Sequence, residues 1–319
     1  MSIFGKKKEK NEIVIVAHNA SFHPDDVFAV ATIVLALEMR QTTKPIRIIR
    51  SRNPEDWAVG DYVVDVGGEY DASRNRFDHH QKGGAGKRDN GVPYAAFGLV
   101  WKHVGPDVCV DVNGNADPEL WQNIDNAFVA AIDANDNGFD LIKNLIPEIF
   151  TPTLSLMLMI EKPTWEERNN EEQMYERFMI AVEKAKSFLK RYIEVQRASV
   201  KAQREIREAY ESAPHKAIVI FPHDYERINF IYTLAPLPDI LFFVYPNHSG
   251  TWTAETVPVS VNSFEKRKAF PAAWAGLSGA DFAKVSGVDD AYFCHNGLFV
   301  AYATSKEGAY KLAKLALEL

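Results

Sequence analysis

The sequence of 319 residues has few cysteines and no long apolar run. Cys109 and Cys294 lie far apart and in no CxxC pattern, which argues against a disulfide framework and against a zinc site built from thiolates. No stretch of about 18 apolar residues is present to span a bilayer, and the lysine-rich start lacks the apolar stretch of a secretory signal. We therefore expect a cytoplasmic protein that does not enter a membrane.

The formal net charge is −7, so an excess of positive charge is also absent. This argues against binding of duplex nucleic acid through bulk electrostatics, because phosphate contacts need clustered Lys and Arg. A phosphate chain can still bind locally where metal ions supply the positive charge. A hydrophobic content of 46% and a charged content of 25% are typical of a globular protein.

Apolar β-branched runs alternate with a helical pattern in the first 70 residues. Strands are predicted at Ile13–Val16, Ile46–Ile49 and Tyr62–Val66. A helix is predicted at Asp25–Arg40, where apolar residues follow helical spacing. This alternation predicts an α/β fold with a parallel sheet, in which ligands bind beyond the carboxyl ends of the strands.

The length exceeds that of one average domain. A polar helical pattern runs from Asn169 to Glu211, and β patterns return after Pro214. We predict an α/β domain over residues 1–165, a helical connector over residues 166–212 and a smaller α/β domain over residues 213–319.

Four of the nine histidines fall within the first 80 residues, beside acidic residues at predicted strand ends. They are His18, His23, His79 and His80. Asp25 lies two positions after His23, while Asp65 ends the third strand in VVDVGG, where the glycines let the backbone turn sharply. A carboxylate at that position can bridge two metal ions. One histidine at a strand end is weak evidence, but three strand ends that each supply His or Asp predict a metal site.

Two further motifs contribute acidic residues. Asp78 opens a DHH triplet whose adjacent imidazoles cannot share one face of a strand, so one can bind metal while the other faces substrate. Asp133 is predicted to close the helix Pro118–Ile132 within AAIDANDNG, and Asp136 is its rival as a ligand. Asp26 is predicted to be the N-cap of the first helix.

The stretches HNASFHPDD, DVGGEYDASRNRFDHHQ and IDANDNG, followed later by AWAGLSG and FCHNG, resemble the hydrolase family of the eukaryotic Myg protein over nearly the whole chain. That family is similar to the DHH phosphoesterases, which include RecJ-type exonucleases and manganese pyrophosphatases. The resemblance implies a DHH-like first domain that binds metal and a second domain that closes a cleft and binds substrate.

The resemblance also implies roles for individual residues. One ion would be held by His18, His23 and Asp65, and the other by Asp25, Asp65, His79 and Asp133. His80 would face the scissile phosphate, and Asp78 would accept a proton from an imidazole and fix its tautomer. DHH pyrophosphatases more often have Asp at the place of His23, so Asp26 is the alternative ligand there. Catalysis would therefore rest on Asp65 and His80.

Imidazole and carboxylate ligands without thiolate favour manganese, with magnesium, iron or zinc as alternatives. Two such ions would activate water and stabilise the attacking and leaving oxygens of a phosphoryl displacement. Candidates for binding the substrate phosphate in the second domain are Arg267, Lys268 and His295. For Arg267, a surface ion pair with Glu265 is the alternative.

Three functional hypotheses compete. The first is a divalent-metal-dependent phosphoesterase, acting as a 3′ to 5′ exonuclease on single-stranded RNA or short oligonucleotides, as the resemblance implies. The second is a small-molecule nucleotide or pyrophosphate phosphohydrolase, and the third is a non-catalytic protein that retains the metals for stability. The absence of HExxH and of a nucleophile motif argues against a protease. A homodimer is compatible with the sequence.

Overall fold

A computed structural model describes residues 11–143, 145–146, 148–149, 151–167 and 170–319. The chain divides into two compact units, one ending at Arg197 and the other running from Ala198 to Leu319. This division falls inside one long helix, whereas the sequence placed domain limits at both ends of a connector. The roles assigned to the three predicted segments stay predictions.

The first unit begins with a sheet of five strands. Its elements are β1 (Ile13–Ala17), α1 (Pro24–Met39), β2 (Ile46–Arg50), α2 (Pro54–Val59), β3 (Tyr62–Val64), β4 (Tyr70–Asp71) and β5 (Arg76–Phe77). The strand order is β2-β1-β3-β5-β4, with β4 antiparallel to β5 and every other pair parallel. The predicted α/β class is confirmed, and the sheet is parallel except at the β4 edge.

Helices complete the first unit. They are α3 (Ala96–Val108), α4 (Pro118–Ile124), a π-helical turn (Asp125–Val129), α5 (Ala130–Asp136), α6 (Leu154–Met159) and the first part of α7 (Glu171–Ser212). Nearly all of α1 is buried because its side chains are apolar on all sides, and it packs against α3, where Phe28 stacks on Phe97 with ring centroids 5.2 Å apart.

The second unit contains the end of α7 and another five-stranded sheet. Its elements are β6 (Ile218–Ile220), α8 (Arg227–Leu234), β7 (Phe242–Pro246), β8 (Trp252–Thr256), α9 (Gly279–Ser286), β9 (Ala291–Cys294), β10 (Val300–Ala303) and α10 (Lys306–Glu318). The order is β6-β7-β8-β10-β9, and only the β6–β7 pair is parallel. One side of this sheet buries Phe242, Trp274, Phe282 and Leu312.

Two helix ends differ from their predicted positions. Because Pro24 occupies the first position of α1, the N-cap is His23, and the prediction of Asp26 as N-cap is wrong. Similarly, α5 continues through Asp133 to Asp136 and ends before Gly138, whose φ is 80°. Within the described ranges, no helix is long and apolar enough to cross a membrane.

Candidate metal centre

The polar residues of the first sheet meet at one edge. His18 follows β1, Asp65 follows β3, and the histidine pair His79 and His80 comes two residues after the end of β5. These three strands are parallel neighbours in the order β1-β3-β5, so their carboxyl ends lie at the same edge. Asp65 therefore stands between the two histidine-bearing strands.

Asp65 has contacts on both sides. Its Oδ2 lies 3.2 Å from His18 Nε2, and its Oδ1 lies 3.3 Å from His79 Nε2 and 3.4 Å from His80 Nδ1. Its φ of 55° is in the left-handed region, which a non-glycine residue adopts at a cost of about 1 to 3 kcal/mol. The backbone is thus strained at the residue that links the two groups of histidines.

The start of α1 supplies further carboxylates. Asp26 Oδ1 accepts a hydrogen bond from the His23 backbone N–H at 2.9 Å, and Asp26 Oδ2 lies 3.1 Å from His18 Nε2. His18 Nδ1 is 2.8 Å from the Asn19 carbonyl and donates to it, so Nε2 is the ring nitrogen that faces the carboxylates and would bind a cation after losing its proton. Asp25, the residue between His23 and Asp26 after Pro24, is completely buried.

The last turn of α5 adds Asp136, whose Oδ2 lies 3.3 Å from His79 Nε2. Three sets of side chains in the described residues have ligand atoms within 4.8 Å of one another. These sets are His18, Asp26 and Asp65; Asp65, His79 and His80; and His23, Asp25 and Asp136. Asp65 belongs to two of them, as a bridging carboxylate would.

Several buried atoms of this cluster lack a hydrogen-bond partner. They are both carboxylate oxygens of Asp25, Oδ2 of Asp26, Oδ1 of Asp65 and Nε2 of His79. A buried polar group without a partner costs about 1 to 3 kcal/mol. Asp26 Oδ2 and His79 Nε2 do lie within ion-pair distance of His18 and Asp65, respectively. These contacts are not hydrogen bonds, because the N–H does not point at the oxygen. Oxygen and imidazole donors left unsatisfied in this way fit a divalent cation.

The pKa values of the cluster reflect the close packing of its carboxylates. Burial and the neighbouring Asp65 raise the pKa of Asp25 well above its ordinary value. Burial would lower the pKa of His18, but the adjacent Asp26 and Asp65 carboxylates outweigh burial and raise this pKa to about 10. For Asp65, burial favours a higher pKa, yet His18 and His79 lower it. A cation at this place would relieve the repulsion among the carboxylates.

Asp78 and His80 form a pair beside the cluster. Asp78 Oδ1 lies 2.8 Å from His80 Nδ1, and Asp78 Oδ2 accepts a hydrogen bond of 2.5 Å from the Gly68 backbone N–H. Asp78 is buried, whereas 62% of the His80 side chain is exposed. The carboxylate therefore fixes the ring through Nδ1 and leaves Nε2 available on an exposed side chain.

Asp133 has different neighbours. Its Oδ2 accepts a hydrogen bond of 2.7 Å from Arg88 Nη1, and its Oδ1 accepts one of 2.9 Å from the Gly98 backbone N–H. Arg88 also forms two hydrogen bonds of 2.8 Å with Asp125. In the described part of the chain, Asp133 belongs to none of the three sets of ligand atoms. The structure brings Asp136 to the histidines and places Asp133 in a buried ionic network.

The predicted substrate-binding residues contact their own unit. Arg267 donates hydrogen bonds to the carbonyl oxygens of Leu237, Ile240 and Ala235. The Lys268 ammonium donates to the Leu317 carbonyl at 2.8 Å, and His295 Nδ1 accepts from the Gly297 backbone N–H at 2.9 Å. These contacts connect segments of the second unit, and binding of substrate by the three residues stays a prediction.

The sequence prediction did not assign Asp26 or Asp136 to its preferred ligand set, although it named both as alternatives. Helix signals identify both positions. Pro24 marks the first position of α1 and puts Asp26 in its first turn, while Gly138 marks the end of α5 two residues after Asp136.

Comparison with known proteins identifies the family of this chain. Residues 14–317 match the family model MYG1_exonuc, described as "Uncharacterised protein family (UPF0160)", so the chain belongs to the MYG1 family and the resemblance to Myg is confirmed. It is 30% identical to the MYG1 exonuclease of Homo sapiens, across 95% of this chain and 85% of that protein. For the MYG1 exonuclease of Bos taurus the identity is 29%, across 95% and 84%. For the MYG1 protein of Saccharomyces cerevisiae it is 29%, across 98% of both chains.

Proposed function

We propose that this protein is a divalent-metal-dependent exonuclease that hydrolyses phosphodiester bonds. The observation that carries the proposal is the set of buried carboxylate and imidazole atoms without hydrogen-bond partners, gathered around the shared Asp65. The relatives named MYG1 exonuclease support the same class of activity. The proposal includes a relation to the DHH phosphoesterases, whose triplet corresponds to Asp78, His79 and His80.

The donor atoms suggest how two ions would be shared. His18, Asp26 and Asp65 would hold the first, with Asp26 in the position for which His23 was predicted. Asp25, Asp65, His79 and Asp136 would hold the second, with Asp136 in place of Asp133 and with His23 beside them. When bound, two divalent ions supply charge that activates water and stabilises the oxygens of a phosphoryl displacement. Donors of this kind suit manganese or magnesium.

His80 and Asp78 would act on the substrate side. The Asp78 carboxylate holds His80 Nδ1, so the opposite nitrogen can donate to a phosphate oxygen when the ring is protonated or exchange a proton with it. Because the Gly68 N–H and the His80 backbone N–H also bind the Asp78 carboxylate, that carboxylate has little freedom to rotate. His80 is thus positioned without being required for metal binding.

The proposed substrate is single-stranded RNA or a short oligonucleotide, cut from the 3′ end. The test uses purified protein with manganese or magnesium and three substrates, an RNA 10-mer, a dinucleotide and pyrophosphate. A 5′-labelled RNA should give a ladder of shortening labelled products, whereas a 3′-labelled RNA should release labelled mononucleotide at once. Hydrolysis of pyrophosphate alone would instead show a small-molecule phosphohydrolase.

Variants connect that activity to the site. Asp65→Asn should abolish hydrolysis and lower the metal content, because it changes the carboxylate shared by two sets of donors. Asp107→Asn is the matched control, since that aspartate is partly exposed and pairs with Arg40 away from the cluster. Full activity and full metal content in Asp65→Asn, with the parent active, would refute the proposed centre.

A further inference from the structure

A cavity of about 650 Å³ opens in the first unit beside the loop that follows β1. Its wall includes Asn19, Ala20 and Ser21 of that loop, together with Arg50 at the end of β2 and Tyr175 in α7. A volume between about 300 and 1,000 Å³ is typical of pockets for small molecules and can hold one nucleotide.

The cavity adjoins the proposed metal centre through this loop. Asn19, in the cavity wall, directly follows His18, and its carbonyl oxygen lies 2.8 Å from His18 Nδ1. The next carbonyl, that of Ala20, accepts a hydrogen bond of 2.9 Å from Arg50 Nη2. Burial lowers the pKa of the Arg50 guanidinium and the Asp26 carboxylate opposes that effect, which places Arg50 within electrostatic range of the metal ligands.

Arg50 is held as a preformed cation in the wall. Its guanidinium carbon lies 4.4 Å from the ring centroid of Phe178 and 5.6 Å from that of Phe22, both cation–π distances. Only Nη2 has a hydrogen-bond acceptor among the described residues, and Nε is buried without one. Such a stacked guanidinium loses little freedom when it binds a phosphate, because its plane is already fixed.

The rest of the wall contains aromatic and acidic side chains that would not be needed to bind phosphate alone. Tyr175 is 38% exposed and offers an aromatic face, and Met174 is its neighbour in the wall. Glu171 and Glu172 also line the cavity, and their carboxylates would repel a bare polyanion. The same carboxylates can accept hydrogen bonds from ribose hydroxyls and from base amino groups, while an aromatic ring can stack on a base. The combined chemistry is that of a nucleotide.

We propose that this cavity binds the terminal nucleotide of the substrate, with Arg50 on its phosphate and Tyr175 on its base. The inference rests on the proposed nuclease function and extends it, because a subsite that holds one nucleotide next to the metal centre would make cleavage start from a chain end. Arg50 is then a residue that determines specificity and does not ligate metal.

The first experiment measures binding without turnover. AMP is titrated calorimetrically into the parent, Arg50→Gln and Tyr175→Ala, with manganese and again with EDTA, and inorganic phosphate is titrated in parallel. Arg52→Gln is the matched control, because the Arg52 side chain donates to the Asn19 carbonyl at 3.3 Å but does not line the cavity. Loss of one charged hydrogen bond to phosphate should weaken AMP binding by Arg50→Gln about 10- to 100-fold, with Arg52→Gln close to the parent.

The outcomes separate this inference from the proposed function. Tyr175→Ala should weaken AMP binding and leave phosphate binding unchanged, and AMP should compete with RNA for the parent protein. The inference is overturned if the parent does not bind AMP, if phosphate binds as tightly as AMP, or if folded Arg50→Gln with a full metal content binds AMP normally. AMP binding that needs Arg50, in a protein that cuts no RNA, would retain the nucleotide subsite and reject the nuclease.

Discussion

The proposed exchange of Asp133 for Asp136 in the ligand set gives a sharp prediction, because the two carboxylates lie about one helical turn apart and have different expected effects. Asp133 is fully buried and pairs with Arg88, of whose side chain only 5% is exposed. Removing one partner of a buried ion pair costs about 3 to 5 kcal/mol. Asp133→Asn should therefore destabilise the first unit whether or not metal is present.

Asp136→Asn should behave differently. In the metal-free protein this change removes one charge from a crowded group of carboxylates, so stability should stay constant or increase. The variant should be less stable than the parent only when metal is present. At a free concentration of 100 times Kd an ion stabilises the fold by about 2.7 kcal/mol, and a tenfold weaker site would reduce this to about 1.4 kcal/mol.

The assay is thermal unfolding of both variants and the parent with EDTA and with manganese, together with metal analysis. Burial raises the pKa of Asp133 to about 7 against the opposing effect of Arg88, so pH 8 is used to keep that carboxylate ionised. For a unit of this size, about 3 to 5 kcal/mol corresponds to a decrease in Tm of about 6 to 20 °C. Loss of metal by Asp133→Asn at unchanged metal-free stability, with Asp136→Asn keeping its metal, would instead make Asp133 the ligand.

Three further predictions test other parts of the structure. His79→Ala should lose metal, whereas His80→Ala should lose turnover at nearly full metal content. Of these two histidines, only His79 has a buried ring nitrogen without a hydrogen-bond partner. Equal metal loss in both variants would contradict this assignment. Gly98→Ala should destabilise the first unit, since the added Cβ would lie 1.8 Å from Asp133 Oδ2, and a urea midpoint equal to that of the parent would disprove the contact. Arg267→Ala should lower the unfolding free energy by about 1.5 to 3 kcal/mol through its lost carbonyl contacts, and unchanged stability with weaker substrate capture would restore its predicted role on the substrate.

The sequence predicted most of the side chains that the structure brings close together, because strand ends can be recognised in it. His18 and Asp65 directly follow β-branched runs that form β1 and β3, and the parallel sheet brings those ends together. Strand β5 has only two residues, too few for a periodic pattern, so the DHH triplet was recognised by its composition and not by its position in the sheet. The same limit applies to β4.

The sequence did not reveal the hydrogen-bond partners of Asp133 and Arg267, because those partners are distant along the chain. The partner of Asp133 is Arg88, which lies 45 residues earlier in the chain, and local spacing cannot connect them. Likewise, Arg267 follows a charged stretch typical of a surface, yet three carbonyl groups about 30 residues earlier receive its hydrogen bonds. In both cases an arginine donates hydrogen bonds to acceptors that only the folded chain brings close.

The positions of the carboxylates on their helices affect how much the metal-free site destabilises each helix end. Asp25 and Asp26 lie in the first turn of α1, where the helix dipole favours negative charge, but Asp136 is the last residue of α5, where the dipole opposes it. That carboxylate gains no compensation from its own helix and lies 3.3 Å from an imidazole nitrogen that would be neutral as a ligand. A divalent ion would supply positive charge at the end of α5. The stability of the last turn of α5 should therefore depend on metal more than that of the first turn of α1. Amide hydrogen exchange in the two turns, with and without manganese, would show the difference.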